Sequence, residues 1–518
     1  MKKSLLLLFV CFLFATMVQA QKRYLDPIYT AAQVQRTDSV RYAVNKTMLY
    51  YYFVAGYGKS APQAMLTDIY QPPVADTTTK RPLVIYLHTG NFLPPNAVGP
   101  NGGIKDSTAI EICTRFARMG YVAASADYRL GWNPGLAQEE ARRLTLINAS
   151  YRGIQDVRSC IRFFKANAAT YGIDTSKIIL FGEGTGGYLS LGASTLDKFS
   201  KIPNTQYDAN KFFYGGTTMV NESINGNIYG TSLGVVPTTS IDTFTKPGDT
   251  LCLPNLPLVS SDFQMQVNLG GALGDLTWVD ANSKPSISFH VPYDFYAPYN
   301  NAVLYVGSPT GPQPVIRVQG ANLIQRRNDT LGVNNAFKAL TAANDPYRAL
   351  FLSRNGNTVQ GLFPLFGRDT ASDSSPWQFW SASNPQNASA LKAAPATTPA
   401  RARTYIDTIM QIVLPRACIV LNLPCKGFVT GTEDLLQSST TKLFASPNPA
   451  RTAITFESEI VNPMQGVQLF DMAGRQVFQA KFNSNNYSMP RNGLPAGMYV
   501  AKVKFEGGIL TRKVVFED

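Results

Sequence analysis

Short, almost wholly apolar runs recur along the first 290 positions, separated by longer stretches of mixed character. Pro82-Leu83-Val84-Ile85-Tyr86-Leu87-His88 is the clearest, held between the charges of Lys80-Arg81 and a Gly90-Asn91 turn. A run this short, apolar at successive positions, predicts a strand buried on both faces, as strands of parallel sheets are. Tyr121 to Ala126 follows a helix-patterned stretch, Ser107 to Met119, and Lys177 to Phe181 follows a second, about Ser150 to Tyr171. That second helix places Ile154, Val157, Ile161 and Phe164 on one face. A fourth strand, Ile287 to His290, is reached only after a Gly-, Pro- and Thr-rich insertion from about Lys201 to Lys284. Strands alternating with helices predict a doubly wound, mostly parallel α/β sheet, with the insertion as a lid over its C-terminal edge. From about Asn301 to Lys426 the pattern is mixed and assigns no element.

Near Thr430 the period changes. Residues 430–442 read as a polar linker, and 443–518 as short strands alternating apolar with polar positions between Gly, Asn and Pro turns. That pattern predicts a small β-sandwich of roughly 75 residues. Its opening Ser446-Pro447-Asn448-Pro449-Ala450, the segments LFDMAGRQV (469–477) and LPAGMYV (494–500), and the terminal TRKVVFED with Lys513 closely resemble the C-terminal sorting domain of Bacteroidota proteins exported by type IX secretion. The resemblance implies handling by that machinery and delivery to the outer cell surface or the medium. In that family the tail is usually removed and the body often anchored to lipopolysaccharide.

The other end agrees with export. Met1-Lys2-Lys3, the apolar Leu5 to Phe14 and the exit Val18-Gln19-Ala20 predict a signal peptide over 1–20, with the mature chain starting at Gln21. No later stretch offers about 18 uninterrupted apolar residues, so no membrane-spanning helix is expected. Five cysteines follow the signal, an odd number. In an oxidising compartment Cys418 and Cys425 are the best candidate pair, whereas Cys113 and Cys160 fall on helix-like segments and read as core. With two histidines and no C-x-x-C, neither a zinc-type metal site nor a cofactor is expected. Formal charge is +13, and 13 − 2 = +11 once Lys2 and Lys3 leave with the signal. The basic residues are spread out, in runs no longer than Arg142-Arg143 or Arg326-Arg327, which argues against a nucleic-acid groove. At 518 residues and 45 % hydrophobic content, the expected body over 21–429 holds one large core beside the small tail.

Candidate chemistry centres on Ile178 to Ser190, IILFGEGTGGYLS. Gly182-Glu183-Gly184-Thr185-Gly186-Gly187 spells the G-x-G-x-x-G of a dinucleotide site, but that fingerprint follows the first strand of its unit and needs an acidic residue at the end of another strand about 20 residues on. Here at least two strands precede it, and DKFSKIPNTQYDANKFFYGG offers no strand afterwards. The segment instead has the frame of a nucleophile elbow: a strand, a sharp Gly-x-nucleophile-x-Gly turn, then a small residue that lets the next helix pack closely.

From Leu83 to Tyr299 the order of features resembles the α/β-hydrolase carboxylesterases and acetyl-esterases, including secreted feruloyl- and acetylxylan-type enzymes. The carrying segments are YLHTGNF (86–92) for the oxyanion-loop His-Gly-Gly, DYRLGW (127–132), GIQDVRSCIRFFKANAATYGID (153–174), LFGEGTGG (180–187) and SFHVPYDFYAPY (288–299). The resemblance implies that Gly184 stands where the nucleophilic serine belongs and that Asp294 is the triad acid. Gly90, Asn91 and Thr185 would supply N–H groups to an oxyanion. Thr185, one position late, would turn its side chain away from the reacting carbon. No histidine follows His290, so the base is absent as well, and His88 and His290 match structural positions. Arg129 is expected to pair internally with Asp156. Glu183 and Asp294 as a glycosidase-like carboxylate pair has no precedent in this fold.

The expectation is an exported α/β-hydrolase-fold protein that has lost ester hydrolysis and acts as a binding or scaffold protein. Its pocket, flanked by Tyr293, Tyr296, Tyr299 and Trp377-Gln378-Phe379-Trp380, would take an ester, a glycan or an aromatic polymer fragment. An active carboxylic-ester hydrolase with an unrecognised nucleophile is the alternative, and a structural surface-layer component the third reading.

Overall fold

The computed structural model describes residues 23–48, 60–94, 102–239, 245–307, 311–340, 345, 359–366, 374–382, 387–388, 398–425, 443–458, 463–471, 475–505 and 508–518. The expected signal peptide and linker lie outside these residues. The chain divides into two compact units, 1–339 with 350–426, and 340–349 with 427–518.

The first unit is built on eight strands: β1 (Gln35–Thr47), β2 (Ala61–Gln71), β3 (Arg81–Leu87), β4 (Val122–Ala126), β5 (Ile173–Glu183), β6 (Met265–Leu269), β7 (Ser286–His290) and β8 (Leu362–Pro364). Their spatial order is β1-β2-β4-β3-β5-β6-β7-β8. β1 pairs antiparallel with β2 and β2 antiparallel with β4, while every pairing from β4 to β8 is parallel. Every residue of β3, β4, β6 and β7 is buried, as strands covered by helices on both faces must be. The longer helices among the described residues are α1 (Ser107–Arg118), α2 (Glu139–Ala166), α3 (Thr185–Thr195), α4 (Ala321–Thr330) and α5 (Pro399–Val420). Thr398 caps α5, its hydroxyl accepting from the Arg401 amide. Cys418, near the end of α5, is disulfide-bonded to Cys425, and Cys113 and Cys160 are buried thiols.

Two sequence expectations are corrected here. The insertion placed at about 201–284 contains a central strand, β6, so the excursion between α3 and the sheet ends before Met265. Gln266 and Asn268 broke the apolar run that would have revealed it. Both are satisfied inside the core: Gln266 donates to Ser190 Oγ and accepts from Ser286 Oγ, and Asn268 bonds the backbone of Gly271. Likewise α2 begins at Glu139 rather than near Ser150 and ends at Ala166, with a separate turn over Ala168–Tyr171. Its arginines hid it. Arg142, Arg158 and Arg162 are buried along the helix, their guanidinium groups donating to backbone carbonyls of Leu136, Leu196 and Tyr229. A helix surrounded on all sides has no polar face for the 3.6-residue period to display.

Close helix–helix approach brings α3 up to its strand. A Cβ on Gly153 of α2 would lie 2.6 Å from Leu189, and one on Gly192 of α3 would lie 2.5 Å from Ile154. Between β7 and β8 a hairpin, Asn301–Val306 with Gln313–Gln319, extends from the loop that carries Asp294.

The second unit holds two antiparallel sheets. One orders Leu443–Ser446, Ala453–Ser458 and Asn486–Pro490, and the other Gln476–Ser484, Met464–Asp471, Gly497–Phe505 and Gly508–Phe516. Strict alternation of exposed and buried positions along Gly497–Phe505 places Tyr499, Ala501, Val503 and Phe505 in a core shared with Phe456, Leu469 and Phe516.

Candidate active site

The strand–turn–helix at Gly184 is an elbow. β5 ends at Glu183, α3 begins at Thr185, and Gly184 between them has φ 50° and ψ −112°, a region that L-residues enter only under strain. The turn is pinned on both sides: the Gly184 amide donates to Leu269 O on β6 (2.7 Å), and the Gly186 amide to His88 O beyond β3 (3.0 Å). A Cβ on Gly186 would stand 2.1 Å from Leu87 O, so the second glycine of the turn is demanded by the approach of β3.

What fills the space above Gly184 is the side chain of Thr89. A Cβ built on Gly184 would lie 2.3 Å from Thr89 Oγ1, inside any real carbon contact, and 3.0 Å from Thr89 Cβ, at the limit of one. Thr89 opens the loop Gly90-Asn91-Phe92, in which three consecutive residues have positive φ (136°, 55° and 55°). The Asn91 amide donates to Thr185 Oγ1 at 2.7 Å. Asn91, expected to offer its N–H to a ligand oxyanion, therefore spends that donor on the threonine hydroxyl. The Thr185 side chain is turned to the loop.

The carboxylates lie in the interior. Glu183 is buried and accepts from Tyr86 Oη, Trp377 Nε1 (2.8 Å) and Gln378 Nε2 (2.8 Å). Burial pushes its pKa up, and the three donors hold the rise back. Asp294, in the turn after β7, accepts from the amides of Tyr296 (2.7 Å) and Ala297 (3.2 Å). Burial pushes its pKa up to about 7 against those two bonds. Its nearest imidazole, His290, lies 3.8 Å away and is hydrogen-bonded through Nε2 to Ala297 O at 2.9 Å; burial lowers its pKa to about 4. A Cβ on Gly270 would be 3.4 Å from both Asp294 Oδ2 and the Trp377 ring, so the indole reaches from Glu183 to the neighbourhood of Asp294. His88 stacks on Tyr128 (centroids 4.5 Å apart) and faces Asp127 at 3.4 Å. Burial lowers its pKa, Asp127 raises it, and the net shift is upward.

Arg129 and Asp156 are fully buried and paired, Nε lying 2.8 Å from Oδ2. Trp377 and Gln378, expected at the pocket mouth, are instead held on Glu183; Trp377 is fully buried. Tyr299 packs edge-on against His290. Tyr296 does border the opening, with Phe295, and Tyr293 faces a neighbouring cleft.

Beside the elbow lies a cavity of about 530 Å³. It is lined by Asn91, Thr185 and Tyr188 of the elbow and its loop, by aliphatic side chains of α2 and of the Asn301–Gln319 hairpin, and by Phe212 and Trp278. Sequence reading missed Thr89, Tyr188 and Trp278. For Thr89 a signal existed, since it replaces the first glycine of the His-Gly-Gly pattern. Among the described residues no group of three or more His, Cys, Asp or Glu gathers for a metal ion, and no helix is long and apolar enough to cross a membrane.

Residues 67–306 match the BD-FAE family model, and residues 445–517 match that of the secretion system C-terminal sorting domain. The chain thus carries an esterase-like α/β-hydrolase domain followed by a type IX sorting domain, which places it outside the cell or on its outer surface. No curated protein matches it. Similar solved structures include the native esterase 2 of the planctomycete Thermogutta terrifontis (15 % identity, 71 % of this chain and 91 % of that one, TM-score 0.32) and a truncated carbohydrate esterase from gut microbiota (14 %, 59 % and 86 %, 0.29). The fold assignment itself rests on the strand order and the family match.

Proposed function

We propose that this secreted hydrolase-like protein has given up ester hydrolysis and works by binding, with the cavity beside the elbow as its ligand site. The observation that carries the reading is Thr89, whose side chain occupies the room a nucleophile at position 184 would need. A serine hydrolase requires nucleophile and base as one unit, so losing both removes nearly all of the chemistry. Three further features support the reading. Gly184 has no side-chain oxygen, the Asn91 donor is engaged by Thr185, and Asp294 is a buried acid whose carboxyl has no imidazolium to hold it ionised. We assign Asp294 as the relic of the triad acid and Gly90, Asn91 and Thr185 as the relic of the oxyanion loop. The 430–442 segment is taken as the boundary between body and tail, and lipopolysaccharide as the anchor that would retain the body.

The alternative, an active hydrolase with another nucleophile, would have to use the Thr185 hydroxyl within the elbow or Thr89 Oγ1, which stands against it. Among the described residues neither histidine is hydrogen-bonded to either hydroxyl. The test is hydrolysis of p-nitrophenyl acetate and butyrate, with fluorophosphonate labelling, by the protein and by its Thr89→Gly/Gly184→Ser variant. The expected result is no turnover above a heat-treated control and no label on the unaltered protein. Turnover abolished by Thr185→Ala or by Thr89→Ala would establish the alternative.

A further inference from the structure

The sorting domain has a concavity of its own, a groove of about 280 Å³ on the outer face of its four-stranded sheet. Strand register builds it. Gly466, in Met464–Asp471, stands between Lys481 of Gln476–Ser484 and Lys504 of Gly497–Phe505. One outward row further on, Gln468 stands between Gln479 and Lys502. Lys502 and Lys504 are exposed and alternate with the core residues Ala501, Val503 and Phe505. A Cβ on Gly466 would lie 2.6 Å from Ala480 O, so glycine is required where these strands shift register, and its row has no central side chain. Adjacent strands lie about 4.8 Å apart, so Lys481 and Lys504 rise from backbones about 10 Å apart, on either side of that gap.

Three lysines and three glutamines, Gln465, Gln468 and Gln479, are the polar side chains of the groove, and no carboxylate lines it. Elsewhere in the domain cations are matched: Arg475 pairs with Asp471 at 2.8 Å, Arg451 with Glu517 at 3.2 Å and Arg491 with Asp518 at 3.5 Å. The Lys502 ammonium is steadied instead over the Phe470 ring, 4.9 Å from its centroid. A cleft lined by one sign of charge concentrates ions of the other.

We propose that this groove binds a saccharide bearing an acidic group, with Lys481 and Lys502 on the anion and the glutamine amides on the sugar hydroxyls. The lysines call for the acid, and the rest of the wall for the sugar. Amide groups both donate and accept, as hydroxyls do. Gln479, whose oxygen already accepts from Gln476 Nε2 at 2.9 Å, has its N–H donors to offer. The volume falls just below that of pockets for drug-sized molecules, which suits about one ring of a longer chain. No aromatic ring lines the groove for a base to stack on, which argues against single-stranded nucleic acid. It lies on the face of the sheet and not along an open strand edge, which argues against a peptide added as a further strand. This site belongs to the sorting domain and is independent of the cavity beside the elbow, so neither reading stands or falls with the other.

The test is binding of the full chain at low salt to immobilised polygalacturonate and dextran sulfate, with uncharged dextran, polyglutamate and oligothymidylate alongside. At least one of the two acidic polysaccharides is expected to bind at least tenfold more tightly than each of the other three, and which one does so names the acid group. Lys481→Gln and Lys502→Gln should each weaken that binding by about three- to tenfold, the worth of one polar contact. Lys513→Gln, on the same sheet but outside the groove, should change it by less than about twofold. All three side chains are exposed, so the thermal midpoint should stay where it is. Binding of neither acidic polysaccharide, equal binding of polyglutamate or oligothymidylate, unchanged affinity in the two groove variants, or an equal loss in Lys513→Gln would each overturn the proposal.

Discussion

Restoring the serine by itself should fail, and by an amount the geometry sets. In Gly184→Ser the new Cβ arrives 2.3 Å from Thr89 Oγ1 and 3.0 Å from Thr89 Cβ. Rotating the threonine about χ1 moves the oxygen but leaves Cβ in place, and a β-branched side chain has few rotamers to offer. Overpacking of this kind costs about 1–3 kcal/mol, and a non-glycine residue at φ 50°, ψ −112° adds about 1–3 kcal/mol of backbone strain. Together they predict a loss of about 2–6 kcal/mol for Gly184→Ser. In Thr89→Gly/Gly184→Ser the overlap is gone and the strain remains, so the two substitutions should couple favourably by about 1–3 kcal/mol. Urea unfolding of the full chain followed by tryptophan fluorescence is suited to the measurement. All four tryptophans, Trp132, Trp278, Trp377 and Trp380, lie in the hydrolase unit, so the signal reports that unit. A single variant that loses less than 0.5 kcal/mol, or a double variant that merely sums the singles, would refute the idea that Thr89 fills the serine's place.

Two other outcomes follow from buried charge. Asp294, with its pKa raised to about 7, binds a proton in the folded state over a range where the unfolded carboxyl does not, so its contribution falls as pH rises from about 4 to 7. Asp294→Asn should therefore match the unaltered protein near pH 4 and exceed it at pH 8 by roughly 3–4 kcal/mol; thermal midpoints with the same pH dependence in both proteins would contradict this. Arg129→Ala strips the cation from fully buried Asp156 and should cost about 3–5 kcal/mol in the same urea assay, whereas a loss under 1 kcal/mol would show that the pair does not act as a buried ion pair.

The parallel sheet was legible because β3, β4, β5 and β7 contain runs of buried apolar residues, and the tail because its strands alternate strictly around glycine and proline turns. β1 and β2 left no such mark. They pair antiparallel at the edge of the sheet, where one face stays polar. β6 and the first half of α2 were lost for a different reason. Gln266, Arg158 and Arg162 find their partners in distant parts of the chain and Asn268 finds its partner in the turn three residues on, all within the core, and a local pattern counts such polar residues as surface.

At the site, chain order alone shows that position 184 has no side-chain oxygen and that no histidine follows the acid, since both are statements about which atoms exist. Chain order also carries the sorting tail, whose motifs are contiguous. Only the tertiary structure decided that Thr89 stands in the serine's room, that Thr185 turns to Asn91, and that the indole of Trp377 leaves the pocket mouth for Glu183. These are contacts between residues about 95 to 194 positions apart, set by strand order and helix packing, and neither composition nor periodicity encodes them. The charge-free cavity belongs to the same class. Its walls come from α2, α3, the loop after β3 and the hairpin after β7, and their uncharged residues become one surface only when the sheet brings them together.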